Sequence, residues 1–375
     1  MIRNNSKIMM ASSVHVWTDT RIFFKEAQTL ASNGFQVSFY AIDFDSEKSV
    51  IPNLKMTYLK PVKRWQRVSH WKFLYKEMLK SDAKHFHFHD PELLLVARKL
   101  KRKLKNEITI TYDMHEHIPA AIKTKQWIPT IIRKPLAKLI TVIEKKLMRN
   151  CDTVIFAEKS YKDNYEELLL QKVDVLNYPV FDNTNWKKQK QDCLTLVYVG
   201  VLTEQRGIYN MLELAVALKA KMNGNFRMNI IGPIFTDEAT LNAFIQKHQL
   251  EENVTLYGRM QYKDIWNFYQ QADIGLCLLH PTPNNLNSHS TKLFEYMAAE
   301  LPIIATDFPD FIDILTTNNC GKTGDIFNAE VLADLVLEMD ADKKMLEDMG
   351  RNGRVAFDKF YNWKNEEKKL IAIYK

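Results

Sequence analysis

The stretch "HSTKLFEYMAAELPIIATD", His289 to Asp307, predicts a helix that leads directly into a buried strand. We expect the helix to begin at Ser290 or Thr291, because hydroxyl side chains are good N-caps, and the apolar run "PIIAT" to be the strand. Glu295 lies in this helix among apolar residues, where an unpaired buried charge is costly. We expect Glu295 and the first amides of the helix to bind a polar ligand; the alternatives are a Glu295 that pairs with a lysine or faces solvent.

The composition indicates a globular protein with more than one core. The chain has 375 residues, of which 46% are hydrophobic and 11% aromatic, a length typical of two domains. Its four cysteines are scattered and form no C-x-x-C pair, so neither a disulfide framework nor a zinc ribbon is predicted. The N-terminal sequence lacks a signal-peptide pattern, and no apolar run is long enough to span a bilayer. We expect a cytoplasmic protein.

Short β-rich runs alternate with helical patterns along the whole chain, which predicts βαβ units and parallel sheets. The predicted strands are "KIMMASS", "QVSFYAI", "HFHFH", "ITITYD", "TVIFA", "VDVLN", "LTLVYVG", "FRMNIIG", "NVTLYG", "ADIGLCLL" and "PIIAT".

A polar stretch without apolar periodicity divides this series into two domains. We predict an N-terminal Rossmann-like domain over residues 1–180, a linker over 181–193 and a second Rossmann-like domain over 194–355. Residues 356–375 are expected to form a C-terminal helix that returns to the first domain. The predicted fold class is α/β, with two doubly wound domains that face each other across a cleft and bind ligands at the carboxyl ends of their strands.

The net charge of +7 is concentrated in the first half of the chain. Residues 121–150 contain eight lysines and arginines and one acid, and residues 60–105 are also basic. This bias suits an anionic partner such as a membrane leaflet, a phosphorylated lipid or nucleic acid. The alternative is a core-packed helix with a solvated basic face, because five apolar residues follow helical spacing and are expected to face the core: Leu136, Leu139, Ile140, Ile143 and Leu147.

The second domain begins with "VYVGVLTEQRGIYNML", in which a strand ends at Gly200 and Arg206 lies just before a helix. Helix amides and a guanidinium together form an anion site, and a diphosphate is the ligand that fits it. The alternative is that Arg206 is an ordinary surface charge.

In the first domain, His85, His87 and His89 alternate along "HFHFHD" and therefore share one strand face. Three histidines on one face could suggest a metal site, but only His89 and Asp90 fall at the strand end, and no metal is predicted. The loop "WTDTRIF" predicts Asp19 or Thr20 as the N-cap of the next helix, whose first amides either face a phosphate or are simply capped.

The segment "ITITYDMHEHIP" ends another strand with a cluster of polar residues. Glu116 or His115 could orient an acceptor hydroxyl or take its proton. Asp113 is expected to cap the following helix.

These segments carry a resemblance over nearly the whole chain. "GVLTEQRGIYNML", "IIGP", "NVTLYGRM", "QADIGLCLL" and "STKLFEYMAAELPIIATDFPD" occur in the order and spacing of retaining glycosyltransferases of the GT-B fold, specifically glycosyltransferase family 4. "DTRIFFKEAQTLASNGFQVSFYA", "HFHDPELL", "YDMHEHIP" and "VLNYP" resemble the acceptor-side domain of its bacterial members.

The resemblance implies a role for several residues at the donor site. Glu295 takes the place of the family's ribose-binding Glu, and Asn287 takes the place of the acid that touches the sugar, so that the motif becomes N-x7-E. Arg206 is implied to stabilise the diphosphate, and His89 to approach the donor sugar or its β-phosphate. The family's other phosphate-binding cation is absent, because its position holds Val201.

Three cations are candidates to replace the missing one: Lys292, Arg259 and Arg21. With Gly200, Ser290 and Thr291, they complete the set of candidate donor-binding residues in this sequence.

The resemblance also implies the reaction. The donor would be a nucleotide-diphosphate sugar, UDP-linked, carrying a hexose or N-acetylhexosamine, and the leaving diphosphate itself would deprotonate the acceptor, without metal or other cofactor. The acceptor would be lipid-linked or a saccharide in bacterial surface polysaccharide assembly, with the basic first domain on the inner face of the membrane and no nucleic-acid partner. The alternatives are a nucleotide-sugar epimerase of the same architecture and a sugar-binding protein without catalysis.

Overall fold

The computed structural model describes residues 6–44, 50–124, 128–182, 184, 186–286 and 288–375. The chain divides into two compact units. Unit 1 is Met1–Asn177 with Trp363–Lys375, and unit 2 is Tyr178–Asn362.

The segment expected to be a linker, residues 181–193, lies within unit 2. Phe181 contacts the rings of Trp186 and Trp266, with centroids 5.1 and 4.8 Å away. The contact between Phe181 and Trp266 joins positions far apart in the sequence, and the polar composition of the segment did not indicate it.

Unit 1 contains a parallel sheet whose described strands have the order β3-β2-β1-β4-β5-β6-β7. The strands are β1 Lys7–Val16, β2 Gln36–Ile42, β3 Leu54–Leu59, β4 His85–Phe88, β5 Thr109–Met114, β6 Thr153–Phe156 and β7 Gln171–Asp174. A π-helical segment, Thr20–Ala27, continues into helix α1, Gln28–Ser32. The other helices are α2 Val68–Lys80, α3 Leu94–Leu104, α4 Ile118–Thr124, α5 Thr130–Met148 and α6 Lys159–Lys162.

Strand β4 shows how the sequence pattern divides the two faces of this sheet. Phe86 and Phe88 join the apolar core with residues of α2 and α3. His87 lies on the other face, where Tyr374 contacts it. The alternation predicted from "HFHFHD" is confirmed.

Unit 2 repeats the doubly wound topology, with the strand order β10-β9-β8-β11-β12-β13 and parallel pairing. Its strands are β8 Leu194–Val199, β9 Phe226–Ile231, β10 Val254–Leu256, β11 Ile274–Cys277, β12 Ile303–Thr306 and β13 Gly321–Gly324. Its helices are α7 Ile208–Met222, α8 Glu238–Lys247, α9 Tyr262–Gln271, α10 Pro283–Leu286, α11 Thr291–Ala298, α12 Pro309–Thr317, α13 Ala329–Ala341 and α14 Lys343–Lys359.

In each sheet the strand order reverses once, between β1 and β4 in unit 1 and between β8 and β11 in unit 2. Loops diverge at such a point, and the carboxyl ends of the flanking strands form the usual ligand site of an open α/β sheet. Ligand sites are therefore expected at these two sheet edges.

Helix α5 departs from the expectation that its apolar residues face the core. Leu147 is buried, but Leu139 and Ile143 are exposed by 56% and 44%. No helix among the described residues has the length and apolar character that crossing a bilayer requires.

The last helix, α15 Trp363–Ala372, packs in unit 1. The Trp363 indole N–H donates to the Thr29 hydroxyl at 2.9 Å, and Glu366 accepts from the Leu176 amide at 2.8 Å. The Tyr374 hydroxyl lies 2.7 Å from Nδ1 of His87. Helix α15 and Tyr374 therefore pack in the hydrophobic core of unit 1.

We expect Trp363→Ala to destabilise unit 1 by about 3–5 kcal/mol, because it removes a buried indole and its hydrogen bond. Hydrogen exchange of the β1 and β4 amides should become faster. The matched control is Lys364→Ala, at an exposed position on the same helix, which should leave exchange unchanged. Unchanged protection in Trp363→Ala would contradict a structural role for this helix.

Candidate functional site

The loop after β8 approaches its neighbours so closely that it requires glycine. Gly200 has φ +156°, and a Cβ there would lie 2.5 Å from Cε of Lys292. Gly232, at the end of β9, has φ +149°, and a Cβ there would lie 1.8 Å from the Gly200 carbonyl oxygen. Gly200 leaves space for the Lys292 side chain, and Gly232 leaves space for the Gly200 carbonyl at the end of the central strand.

A short 3-10 turn, Glu204–Arg206, positions the guanidinium predicted to bind phosphate. The Gln205 carbonyl accepts a hydrogen bond from the His280 amide at 3.0 Å. Gly207 follows with φ +70°, and a Cβ there would lie 2.4 Å from the Leu278 carbonyl oxygen. These contacts fix Arg206 beside the carboxyl end of β11.

Arg206 and Lys292 lie close enough for their charges to interact. Burial lowers the pKa of Lys292, which is only 7% exposed, and the positive charge of Arg206 lowers that pKa further. Burial raises the pKa of Tyr198, although the hydrogen bond and charge of Arg206 act to lower it. The ring of Tyr198 lies 5.4 Å from the Lys292 ammonium. Within the described residues, neither cation forms an ion pair with a carboxylate.

Of the three candidates for the second cation, Lys292 is the one that the structure places beside Arg206. Arg259 is exposed in the loop after β10 and is not among the charges that act on Lys292. Arg21 lies in unit 1, where it binds two carboxylates. Two neighbouring cations without a protein counter-ion are an arrangement that binds an anion.

Helix α11 begins at Thr291, as the sequence predicts, with Ser290 at the N-cap position. The Ser290 hydroxyl makes no capping hydrogen bond and instead contacts the thiol of Cys277. The amides of Thr291 and Lys292 have no acceptor in the part of the chain that the structure describes. A helix N-terminus with unpaired amides favours a negative charge and adds to the two cations.

Glu295 is partly exposed, two tyrosines hydrogen-bond its carboxylate, and its negative charge acts to raise the pKa of Lys292. The Tyr269 hydroxyl donates to Oε2 of Glu295 at 2.9 Å, and Tyr262 also hydrogen-bonds this carboxylate. Burial and the Glu295 charge raise the pKa of Tyr269 well above its ordinary value. Asn287 lies outside the described residues.

In unit 1, a buried group of charges lies at the carboxyl ends of β1, β4 and β5. The Arg21 guanidinium donates to both oxygens of Asp113, at 2.9 and 2.6 Å, and lies 3.1 Å from Glu26. Arg21 and Glu26 are five residues apart, and the π-helical turn that contains both places such residues on one side. Asp113 was expected to cap a helix, which is wrong because this ion pair occupies it.

The two carboxyl groups of this cluster differ in protonation. Burial alone would raise the pKa of Asp113, but Arg21 and hydrogen bonds from two histidines hold it well below its ordinary value. Burial raises the pKa of Glu26 well above its ordinary value, and the charge of Asp113 raises it further. Two adjacent buried carboxyl groups resist ionising together, so Asp113 loses its proton at a lower pH than Glu26.

Asp113 also contacts two histidines. Nδ1 of His89 and Nδ1 of His115 lie 3.3 and 3.4 Å from Oδ2 of Asp113, and Nε2 of His115 lies 2.9 Å from Nε2 of His15. Burial lowers the pKa of His89. Burial also acts to lower the pKa of His115, but the hydrogen bond and charge of Asp113 outweigh it and raise that pKa.

Asp19 and Glu116, the other predicted residues at this sheet edge, make separate contacts. Asp19 caps the π-helical segment by accepting from the amides of Arg21 and Ile22, both at 2.9 Å, so these amides are not open to a phosphate. Glu116 is exposed, and its charge contributes to the raised pKa of His115.

Two sets of potential metal-ligating atoms occur in the described part of this cluster. Glu26, His87 and His89 form one, and His89, Asp113 and His115 the other, each with ligand atoms within 4.8 Å of one another. The Arg21 guanidinium contacts a carboxylate of each set, and this fixed positive charge disfavours a second cation there. The absence of a metal cofactor stays a prediction.

The sequence did not indicate Tyr198, Tyr262, Tyr269, Glu26 or His15 as site residues. The five-residue spacing of "RIFFKE" was a usable signal for the Arg21–Glu26 pair, but only if the segment were known to be π-helical. The tyrosines contact Glu295 and Lys292, which are far from them in the sequence. No local sequence pattern indicates such contacts.

Comparison with known proteins identifies the domain and the fold. Residues 181–356 match the family described as "Glycosyl transferases group 1". No curated protein sequence matches the chain. The second unit is therefore a glycosyltransferase group 1 domain.

The whole chain is similar to solved structures of the GT-B fold. Sucrose-phosphate synthase from Thermosynechococcus elongatus has 16% identity and a TM-score of 0.74, with 99% of this chain and 98% of that chain covered. WaaG, a glycosyltransferase involved in lipopolysaccharide biosynthesis, has 15% identity and a TM-score of 0.71, with 98% and 99% covered. Anabaena HepE in complex with UDP and glucose has 11% identity and a TM-score of 0.71, also with 98% and 99% covered. These similarities confirm the predicted GT-B fold class.

We expect Lys292→Met to stabilise the free protein by about 1 kcal/mol, because it removes a buried charge that lies beside another cation. The same change should weaken UDP binding by about 2 kcal/mol, since a charged contact to phosphate is lost. Thermal unfolding with and without UDP measures both effects. The matched control is Lys263→Met at an exposed position of α9, which should change neither. A destabilised variant with unchanged UDP affinity would contradict the anion site.

We expect the two histidines of unit 1 to titrate on opposite sides of the ordinary value of about 6.5. Asp113 raises the pKa of His115, whereas burial lowers that of His89. Nitrogen-15 NMR of the imidazoles should show this order, with His115→Gln and His89→Gln assigning the signals. The reverse order would contradict the protonation states described above.

Proposed function

We propose that this chain, which contains a glycosyltransferase group 1 domain, is a retaining hexosyltransferase of glycosyltransferase family 4. It would transfer a hexose or N-acetylhexosamine from a UDP-sugar to a lipid-linked or saccharide acceptor. The observation that carries the proposal is the pair Arg206 and Lys292, two adjacent cations that form no ion pair within the described residues and lie beside the N-terminus of α11. A nucleotide diphosphate supplies the missing negative charge.

Glu295 supports a nucleoside rather than a simple phosphate as the ligand. Tyr269 and Tyr262 orient its carboxylate one turn inside the helix whose first amides would bind the diphosphate. A carboxylate in that position can accept both ribose hydroxyls at once. Anabaena HepE, of the same fold, binds UDP and glucose.

In the proposed reaction, the acceptor oxygen forms a bond to the anomeric carbon on the face from which the diphosphate leaves. The bond between the anomeric carbon and the phosphate oxygen breaks, and the acceptor proton passes to that phosphate oxygen. Negative charge develops on the departing diphosphate, where Arg206, Lys292 and the helix amides stabilise it. No protein nucleophile is needed, and we propose that no metal is required.

Unit 1 supplies the candidate residues for the sugar and the acceptor. His89 is buried with a lowered pKa and is therefore neutral, which suits a hydrogen bond to a sugar hydroxyl. His115 has a raised pKa and is suited to donate a hydrogen bond rather than to take a proton. The exposed carboxylate of Glu116 is then the better candidate to orient the acceptor hydroxyl.

We further propose that the reaction serves bacterial surface polysaccharide assembly on the inner face of the membrane. The basic first unit supports an anionic membrane surface as partner, and WaaG, of the same fold, is involved in lipopolysaccharide biosynthesis. A membrane location would suit a lipid-linked acceptor.

The test is a panel of nucleotide sugars scored by thermal stabilisation and by product formation, with and without a metal chelator. We expect UDP-sugars to stabilise the protein and Glu295→Ala to weaken donor binding by about 2–3 kcal/mol, because a charged bidentate contact is lost. Glu213→Ala, on the exposed side of α7, is the control. Unchanged donor affinity in Glu295→Ala would count against the ribose contact.

The same panel separates the alternatives. Interconversion of epimeric sugars without an acceptor would indicate an epimerase. Binding without turnover on any saccharide or lipid-linked acceptor would indicate a sugar-binding protein. Loss of turnover with the chelator, restored by a divalent metal, would contradict the metal-independent mechanism.

A further inference from the structure

Helix α5 exposes an apolar stripe to solvent on the side away from the core. Five large apolar side chains are exposed there: Ile131 (86%), Ile132 (46%), Leu139 (56%), Val142 (64%) and Ile143 (44%). At 100° per residue, these positions fall within a sector of about 120°. The buried residues of the same helix lie on the opposite side: Ala137, Glu144, Leu147 and Met148.

Cations border this apolar stripe. Lys134, Lys138, Lys146 and Arg149 are exposed and, within the described residues, make no ion pair. By the same helical geometry, Lys134 and Lys138 lie along one edge of the stripe, and Lys146 and Arg149 lie within it. The sole acid of the helix, Glu144, is buried and accepts from the Tyr165 hydroxyl at 2.5 Å. The exposed face of α5 is thus apolar and predominantly positive; an acid from the following segment, Glu167, pairs with Lys145 at its edge.

Helix α3 extends the positive surface, because it packs against α5 on the same side of the sheet. Four cations of α3 are exposed and unpaired among the described residues: Arg98, Lys99, Arg102 and Lys103. No acid occurs in α3. The two helices therefore present one basic surface, with the apolar stripe of α5 as its distinctive part.

We propose that this surface, the exposed faces of α3 and α5, docks on an anionic lipid bilayer with α5 lying in the plane of the interface. The proposal deepens the membrane part of the proposed function and rests on it. A helix with an apolar face bordered by lysines and arginines binds at the boundary of headgroups and acyl chains. Nucleic acid would use the same cations, but it offers no environment for five exposed aliphatic side chains.

Both the cations and the apolar side chains should be needed for binding to the bilayer. Each cation near an anionic membrane surface strengthens binding about fivefold, and the apolar side chains add burial that salt does not screen. Replacing three of the lysines should therefore weaken binding by about 100-fold. Replacing the apolar residues should weaken it at least about tenfold and leave a remainder that high salt abolishes.

The experiment is cosedimentation of the full chain with vesicles of phosphatidylcholine, with and without phosphatidylglycerol. The charge variant combines Lys134→Gln, Lys138→Gln and Lys146→Gln. The apolar variant combines Ile131→Gln, Leu139→Gln and Val142→Gln, all exposed and replaced by a good helix former. The matched control combines three exposed, unpaired lysines of unit 2: Lys247→Gln, Lys263→Gln and Lys344→Gln.

We expect binding only to vesicles that contain phosphatidylglycerol, loss in both α5 variants and full binding by the control. Equal binding by all variants, or no binding by the unaltered chain, would overturn the proposal. Binding of duplex DNA or RNA that depends on the lysines but not on the apolar residues would assign the surface to nucleic acid instead. Thermal stabilisation by UDP-sugars, measured on the same variants, should be unchanged. Failure of donor binding would therefore be distinguished from failure of membrane docking.

Discussion

The carboxylate of Asp113 is the charge on which the polar interior of unit 1 depends. It is fully buried, and Arg21 neutralises it through two hydrogen bonds. Loss of either partner would leave an uncompensated charge in the core, at a cost of about 3–5 kcal/mol. Burial raises the pKa of Glu26 and the Asp113 charge raises it further, while the same charge raises the pKa of His115 against the effect of burial. Burial and this one carboxylate together set the order in which these groups titrate.

Unit 2 has the opposite electrostatic arrangement. Lys292 is buried beside Arg206, and no carboxylate in the described part of the chain pairs with either cation. Such a pair lowers the stability of the free protein, and Gly200 leaves the space that the Lys292 side chain occupies. A fold retains an arrangement of this kind where function requires it. The unpaired charge is therefore stronger support for an anionic ligand than the presence of Arg206 alone.

The sequence predicts most of the parallel strands because buried strands form uninterrupted apolar runs. It misses β3, a half-exposed edge strand, and β13, which begins and ends with glycine. It places Glu295 correctly in a helix that begins at Thr291, yet it does not predict the tyrosines that hold its carboxylate. It also cannot assign the second cation, since that choice depends on which loops meet after folding.

Helix α5 shows why apolar periodicity alone does not identify the core face. Both sides of this helix contain apolar residues at helical spacing, so a pattern that includes Leu139 and Leu147 fits either orientation. The charged residues resolve the ambiguity. Glu144 is buried with Oε2 accepting from the Tyr165 hydroxyl, and the lysines, whose burial without a partner is costly, face outward. The apolar side chains between those lysines are then exposed as a consequence, and an anionic lipid surface is the environment that suits both groups.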